Sequence, residues 1–273
     1  SGNSRYWVTG TGAAFTSNKT DQITSVTSTG FVMGTDASSD QINGNGQTTV
    51  AYTWKESVTA GFDIVSYTGN GSARTISHSL SAVPEWMMIK KISNTDAAAR
   101  YNGANGNTNG LILAETNGND DETYWNDTTP TSSVFTLGTL SNVNTNNETY
   151  IAFLFAPKQG YSSFGVYSGN GNANGTYVHL GFKPAWLLIK RVSGSGDQWQ
   201  LSDTVRGVNG AIKTLYPDSA EVETSTDSID HLSNGFKLRN TSVARNGSGS
   251  TYVYFAFAES PFVNSKGVPN NAR

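Results

Sequence analysis

PEWMMIKK at residues 84–91 and PAWLLIKR at residues 184–191 are one phrase written twice, with Trp86 and Trp186 standing 100 residues apart. Their surroundings repeat as well: SYTGNG (66–71) returns as VYSGNG (166–171), and TYIAFLFA (149–156) as TYVYFAFA (251–258). Solenoid units run to roughly 20–50 residues, so a period this long marks each copy as a whole small domain able to bury its own core. Within the phrase Trp86, Met88 and Lys90 alternate with Met87, Ile89 and Lys91. No helix cap precedes it and no helical spacing fits, so it reads as a central strand, apolar on both faces until its two lysines reach water.

The neighbouring segments follow the same period of two. GFDIVSYTG (61–69) puts Phe62, Ile64 and Ser66 on one face and Asp63, Val65 and Tyr67 on the other. Gly69, Asn70 and Gly71 then supply a turn in which a positive φ costs little. Upstream, INGNGQTTVAYTWKE (42–56) lines up with VNTNNETYIAFLFAP (143–157), and GFVMGT (30–35) resembles VFTLGT (134–139) and NGFKLR (234–239). Residues 1–58 therefore read as the rear half of a further copy, followed by repeats at 59–158 and 159–259 and a tail at 260–273 with two prolines. The missing front half is expected either to lie in a longer parent chain or to be replaced by strands from residues 1–15; an open sheet edge would need a cover. The chain opens at Ser1 with no Met, which suits a processed or truncated product.

Composition agrees with many short strands joined by polar turns: 36% of the 273 residues are hydrophobic and only 14% charged, with 29 Gly against 7 Pro. A net charge of −3 with no clustered basic surface argues against a nucleic-acid partner. The absence of cysteine removes disulfides, thiolate nucleophiles and Cys-ligated zinc. No apolar run approaches the length of a membrane span, and the first residues lack a signal-peptide layout. About seven strands per copy, with no helical pattern, imply an all-β fold of tandem antiparallel β-sandwich repeats, jelly-roll or lectin-like in type.

No motif for catalysis emerges. The three histidines are His78, His179 and His231; the first two fall at near-equivalent places ahead of the repeated phrase, which suits a scaffold role. There is no GxSxG elbow, HExxH helix or phosphate loop, and hence no cofactor site. Asp120, Asp121, Glu122 and Asp127 share one loop, Asp36 and Asp40 another, and Asp218, Glu221, Glu223, Asp227 and Asp230 a third, without the spacing of a calcium loop. These loops read as solvated, with no metal expected. Paired carboxylates also serve glycoside hydrolysis, at a separation that sequence does not give.

Loop aromatics carry more information. Tyr124, Trp125 and Asn126 sit within the polar stretch 117–133, and Trp199 lies among charged residues in DQWQLSDTVRG (197–207), close to Asp203. A flat ring beside amides and carboxylates suits stacking against a sugar, which makes Tyr124, Trp125, Asn126, Trp199 and Asp203 the candidate ligand-binding residues. The alternative for each ring is to plug its own sandwich end. Trp86 and Trp186 are expected in the core.

Taken together, GFDIVSYTGNG, the PEWMMIKK strand, PTSSVFTLG with VNTNNETYIAFLFA, and DHLSNGFKLR with TYVYFAFAESPF resemble the repeated β-sandwich modules of marine bacteriophage tail and fibre proteins, which are themselves similar to the concanavalin-A-like lectin/glucanase class. The similarity runs from Gly30 to Phe262. It implies a structural protein on the virion surface, outside the host cell, and carries no catalytic motif. The expectation is a non-enzymatic tail-fibre or appendage protein, a homo-oligomer with a trimer first, contacting other virion proteins and presenting loops to host-surface glycan. Its rivals are a purely structural decoration protein and a glycan-depolymerising enzyme. Exposed, clustered Trp125 and Trp199 would favour glycan binding, and buried ones a structural role.

Overall fold

The computed structural model describes residues 23–27, 29–35, 42–46, 48–93, 95–207, 209–226 and 228–259. Residues 1–15 as replacement strands, the carboxylates Asp36, Asp40 and Asp227, and the tail 260–273 all lie outside the described residues.

The described chain is all-β, and its strands pair antiparallel throughout. A first hairpin joins β1 (Ile23–Val26) to β2 (Phe31–Met33). There follow β3 (Phe62–Thr68), β4 (Arg74–Ser77), β5 (Trp86–Lys91), β6 (Ala99–Asn102), β7 (Asn109–Ile112), β8 (Asp120–Asp121), β9 (Val134–Leu137), the single-turn helix α1 (Ser141–Asn144) and β10 (Thr149–Phe155). The later part of the chain holds β11 (Ser162–Ser168), β12 (Tyr177–His179), β13 (Trp186–Arg191), β14 (Gln200–Asp203), β15 (Ile212–Leu215), β16 (Thr224–Thr226), β17 (Ile229–Leu232), β18 (Gly235–Leu238), the single-turn helix α2 (Val243–Asn246) and β19 (Thr251–Phe257). One six-stranded sheet has the order β3-β10-β5-β6-β7-β8 and the other β11-β19-β13-β14-β15-β16. The small sheets are β4-β9 and β12-β18-β17. Corresponding pairs keep the same register: Phe155 faces Trp86 across β10 and β5, as Phe257 faces Trp186 across β19 and β13.

The apolar character of β5 on both faces has a specific cause. Met87 and Ile89 point into a cluster with Trp125, Phe135 and Tyr150, between the first large sheet and β4-β9. Leu187 and Ile189 do the same on the other side, with Phe236 and Tyr252. The opposite faces meet each other: Trp86, Phe62 and Phe155 of one large sheet pack against Phe164, Phe255 and Phe257 of the other. Each half thus owns a core, as its alternation predicts, and a third core is shared between the two large sheets. Trp86 lies stacked on Phe155, with centroids 4.5 Å apart, and 4.6 Å from the Phe255 ring.

The lysines closing the phrase do not reach water. Lys90 and Lys190 are fully buried and Lys91 nearly so. The three protons of the Lys190 ammonium meet three carbonyls, of Glu115, Thr116 and Asp197, so the strand is pinned to a loop of the other half. Burial pushes its pKa down to about 8, against the pull of Asp218, Asp197 and Glu115. Lys90 donates to the Asp96 carbonyl at 2.5 Å, and Lys91 pairs with the Asp96 carboxylate at 3.0 Å. Sequence alternation shows which residues turn away from a strand's apolar face, but not that a loop will fold back over them.

Residues 48–56, aligned by sequence with β10, carry no strand. β10 is held between β3 and β5, and among the described residues nothing offers this segment two such neighbours. Tyr52 and Trp54 instead lie on the seam between the large sheets, where the Trp54 ring stands edge-on to Trp186 at 5.6 Å and to Phe257 at 5.4 Å. The two short helices, which periodicity does not announce, end in buried asparagines. Asn144 donates to the carbonyls of Ser72 and Gly138 and accepts from the Asn70 N–H, locking the Gly-Asn-Gly turn. Asn246 does the same with Asn172, Asn240 and Asn170, and Asn43 donates to the Gly34 carbonyl at 2.6 Å.

Trp86→Ala is expected to cost about 3–5 kcal/mol, because it empties the middle of the shared core. Denaturant unfolding of the purified variant checks this, and an unchanged midpoint would place Trp86 outside any core.

Candidate functional site

The residues expected to stack against sugar are not on the surface. Trp125 and Trp199 are 0% exposed, Asp203 1% and Tyr124 4%; of the five candidates only Asn126 faces solvent, at a positive φ of 49° in the turn. Trp125 turns inward because its indole N–H finds the Asn109 carbonyl at 3.0 Å and its ring meets Tyr101 edge-on at 5.6 Å. Tyr124 donates to Asp120 at 2.6 Å, and its ring lies so close to Gly110 of β7 that a Cβ there would sit 2.3 Å away. Trp199 belongs to the shared core: it donates to the Ile112 carbonyl at 3.2 Å and lies near-parallel to Phe255 at 6.1 Å. Both rings therefore take the packing role that sequence left open beside the ligand-binding one.

Asp203 ends β14 and acts as an anchor. It accepts from the Tyr52 hydroxyl at 2.5 Å, from the N–H groups of Val205 and Arg206 at 2.9 Å each, and from the Arg206 guanidinium at 2.6 Å. Burial opposes its charge, but these donors outweigh it and hold the carboxyl below the usual carboxylate range. Burial, reinforced by the bond to Asp203, pushes the Tyr52 hydroxyl well up. Arg206 continues to Glu223, which also meets Lys213 at 3.3 Å. The network ties the segment carrying Tyr52 to β14, and it leaves no bare carboxylate to grip a hydroxyl.

Three acidic residues of the stretch 218–230 bond to separate partners. Asp218 accepts the Trp199 N–H, Glu221 bonds to Gln198, and Asp230 pairs with Arg239 at 2.5 Å. Among the described residues no group of three His, Asp or Glu is placed to hold a metal ion.

One pairing was invisible in the sequence. Ser202 and His231, 29 residues apart, stand with Oγ 3.1 Å from Nε2. In a hydrolase that contact would suggest a nucleophile and its base, with a carboxylate behind the imidazole. Here Nδ1 lies 3.0 Å from the Pro184 carbonyl, and both side chains are 3% exposed. The arrangement suits a neutral ring that donates from Nδ1 and accepts the serine proton, joining β14 and β17 to the start of the Pro-x-Trp phrase. His78 and His179 are less buried, with Nε2 of His78 at 3.1 Å from the Thr131 carbonyl and Nδ1 of His179 at 3.1 Å from the Tyr177 hydroxyl.

The surface feature that does stand out is the β1-β2 hairpin. Val26 is 74% exposed, Val32 49%, Met33 41% and Phe31 38%. Among the described residues the hairpin pairs with no further strand. A groove of about 700 Å³ separates it from residues 51–55, with Val26 and Phe31 on one wall and Tyr52 and Trp54 on the other.

Burial sets a pH dependence through His231, whose pKa falls from 6.5 to about 4. The unfolded chain takes up this proton near pH 6.5 and the folded chain only near pH 4, so stability is lost as pH falls through that window, by roughly 3 kcal/mol at most. Replacing the ring by His231→Asn is expected to flatten that part of the curve; thermal melts of both proteins from pH 7 to pH 4 are the check.

No curated protein and no solved structure matches the chain. A family model does: the one described as a domain of unknown function, DUF7483, covers residues 2–261. With nearly its whole length inside that match, the chain belongs to the DUF7483 family.

Proposed function

We propose that this chain is a non-enzymatic structural module built from two β-sandwich copies of about 100 residues and part of a third, and that it assembles with further copies of itself. The observation that carries this reading is where the aromatic residues went: Trp125 and Trp199 close cores, while exposed apolar side chains gather on the β1-β2 hairpin. A two-stranded sheet is marginal alone and its open edges are templates for strand addition. A like edge from a second copy is the simplest complement, because antiparallel pairing is self-complementary about a two-fold axis and heterologous pairing closes a ring such as a trimer. A net charge of −3 opposes such contact only weakly. The resemblance to bacteriophage tail and fibre modules supports a place on a virion surface, beside other virion proteins and outside the host cell.

The second reading is adhesion to a host-surface glycan through the polar loops around the exposed Asn126. It is the weaker one, since the rings meant to stack on sugar are buried.

Sedimentation of the purified chain is expected to show a concentration-dependent oligomer, and Val26→Lys with Val32→Lys to weaken it by about tenfold or more while the melting temperature holds. A wild-type chain that stays monomeric at high concentration would overturn the assembly role. A glycan array and a reducing-sugar assay run on the same samples separate the rivals: saturable sugar binding would favour the adhesin, and release of sugar ends an enzyme.

A further inference from the structure

Between the two large sheets, under the strap formed by Tyr52 and Trp54, lies a cavity of about 460 Å³. That volume falls within the range of small-molecule sites. Its walls are mostly apolar, with Trp86 and Met88 from one sheet and Trp186 and Leu188 from the other. Two observations are hard to reconcile with an empty hydrocarbon pocket.

The first is Arg100, a further wall residue, 1% exposed. Its guanidinium donates to the Ala98 carbonyl at 2.9 Å and to the Met88 sulfur, a weak acceptor, at 2.8 Å, and it lies 5.7 Å from the centre of the Trp199 ring. Among the described residues no carboxylate forms an ion pair with it. A guanidinium keeps its charge at any ordinary pH, so among the described residues the interior holds a cation without a paired anion, an arrangement that is unfavourable unless something answers it. The second is a pair of orphaned donors. The indole N–H groups of Trp86 and Trp186 are both buried and find no acceptor, although their rings wall the same cavity with centroids 6.2 Å apart. Buried tryptophan N–H groups ordinarily find a partner, as Trp125 and Trp199 do in this chain.

We propose that the cavity binds a small organic monocarboxylate with an apolar body. The carboxylate offers the two oxygens that a guanidinium fork and two indole donors lack, and the apolar walls take the body. At the rim Glu221, already bonded to Gln198 at 3.0 Å, disfavours a ligand carrying a second negative charge. The body is either a flexible chain, as in a medium-length fatty acid, or a flat ring system. Both present the same head group.

The test is calorimetric titration of the full chain, with tryptophan fluorescence in parallel, using decanoate and 2-naphthoate as probes beside the uncharged decanol and 2-naphthalenemethanol. Saturable one-to-one binding is expected for at least one acid, and which acid binds tells chain from ring. Arg100→Met is expected to weaken the acid by about tenfold or more, leaving the matching alcohol nearly unchanged. The same variant should melt no lower than wild type, because it removes a buried unpaired charge. If it melts early, Trp186→Phe, which deletes one donor and keeps an aromatic ring, makes the same comparison. Equal binding of acid and alcohol in wild type, acid binding untouched by both variants, or no saturable binding by either acid would overturn the proposal.

Discussion

Everything else in this molecule depends on the back-to-back contact of two six-stranded sheets. Each sheet already has one face covered by its own small sheet, and the other face, carrying Trp86 and Phe155 or Phe164 and Phe255, would be an apolar surface in water without its counterpart. Burial of aromatic area is the dominant favourable term available to such a chain, and each of these rings has well over a hundred Å² to hide. The halves are therefore not beads on a string: Lys190 reaching the carbonyls of Glu115 and Thr116, and Tyr52 reaching Asp203, are polar stitches along a seam whose main hold is apolar.

The polar interior follows from that architecture. Sheets packed on both faces leave their edge loops folded over lysines, asparagines and a histidine, each of which must then be satisfied from within. Asn144 and Asn246 show it being done well, with every amide proton and oxygen engaged against a turn. His231 shows it done by choice of protonation state, neutral between Ser202 and Pro184. Arg100 stands apart as a buried charge with no carboxylate in an ion pair with it among the described residues, and it lines a cavity whose walls also carry the unpartnered indole N–H groups of Trp86 and Trp186.

Much of this could be read from the amino acids. The period of two around Trp86 and Trp186 predicts their strands, and the shared spacing predicts the matching strand orders of the two large sheets, but not that one small sheet has two strands and the other three. Burial was harder to see, for a physical reason: a strand apolar on both faces reads the same whether its second face meets its own sandwich or a neighbour's. Trp125 and Trp199 were misleading because a polar context describes neighbours along the chain, whereas their ring contacts, with Tyr101 and Phe255, come from distant strands. Asp203 looked like part of a loop, and it closes a strand whose four residues are all buried. The Ser202 and His231 contact has no sequence signal at all, since a register between β14 and the small sheet is decided only in three dimensions.

Trp54, Phe155 and Phe257 occupy equivalent places in the aligned segments, and their rings touch one another, at 6.3, 5.4 and 5.5 Å. A position that meets its own counterparts cannot drift alone. A larger ring at one of the three has to be matched by a smaller one at another, because the space they fill is common property. Trp54 with two phenylalanines is one solution to that sum, and a chain with tryptophan at all three would have to pry its sheets apart. Substitution is thereby coupled at this point: a change to one of the three seam rings has to be answered at the other two.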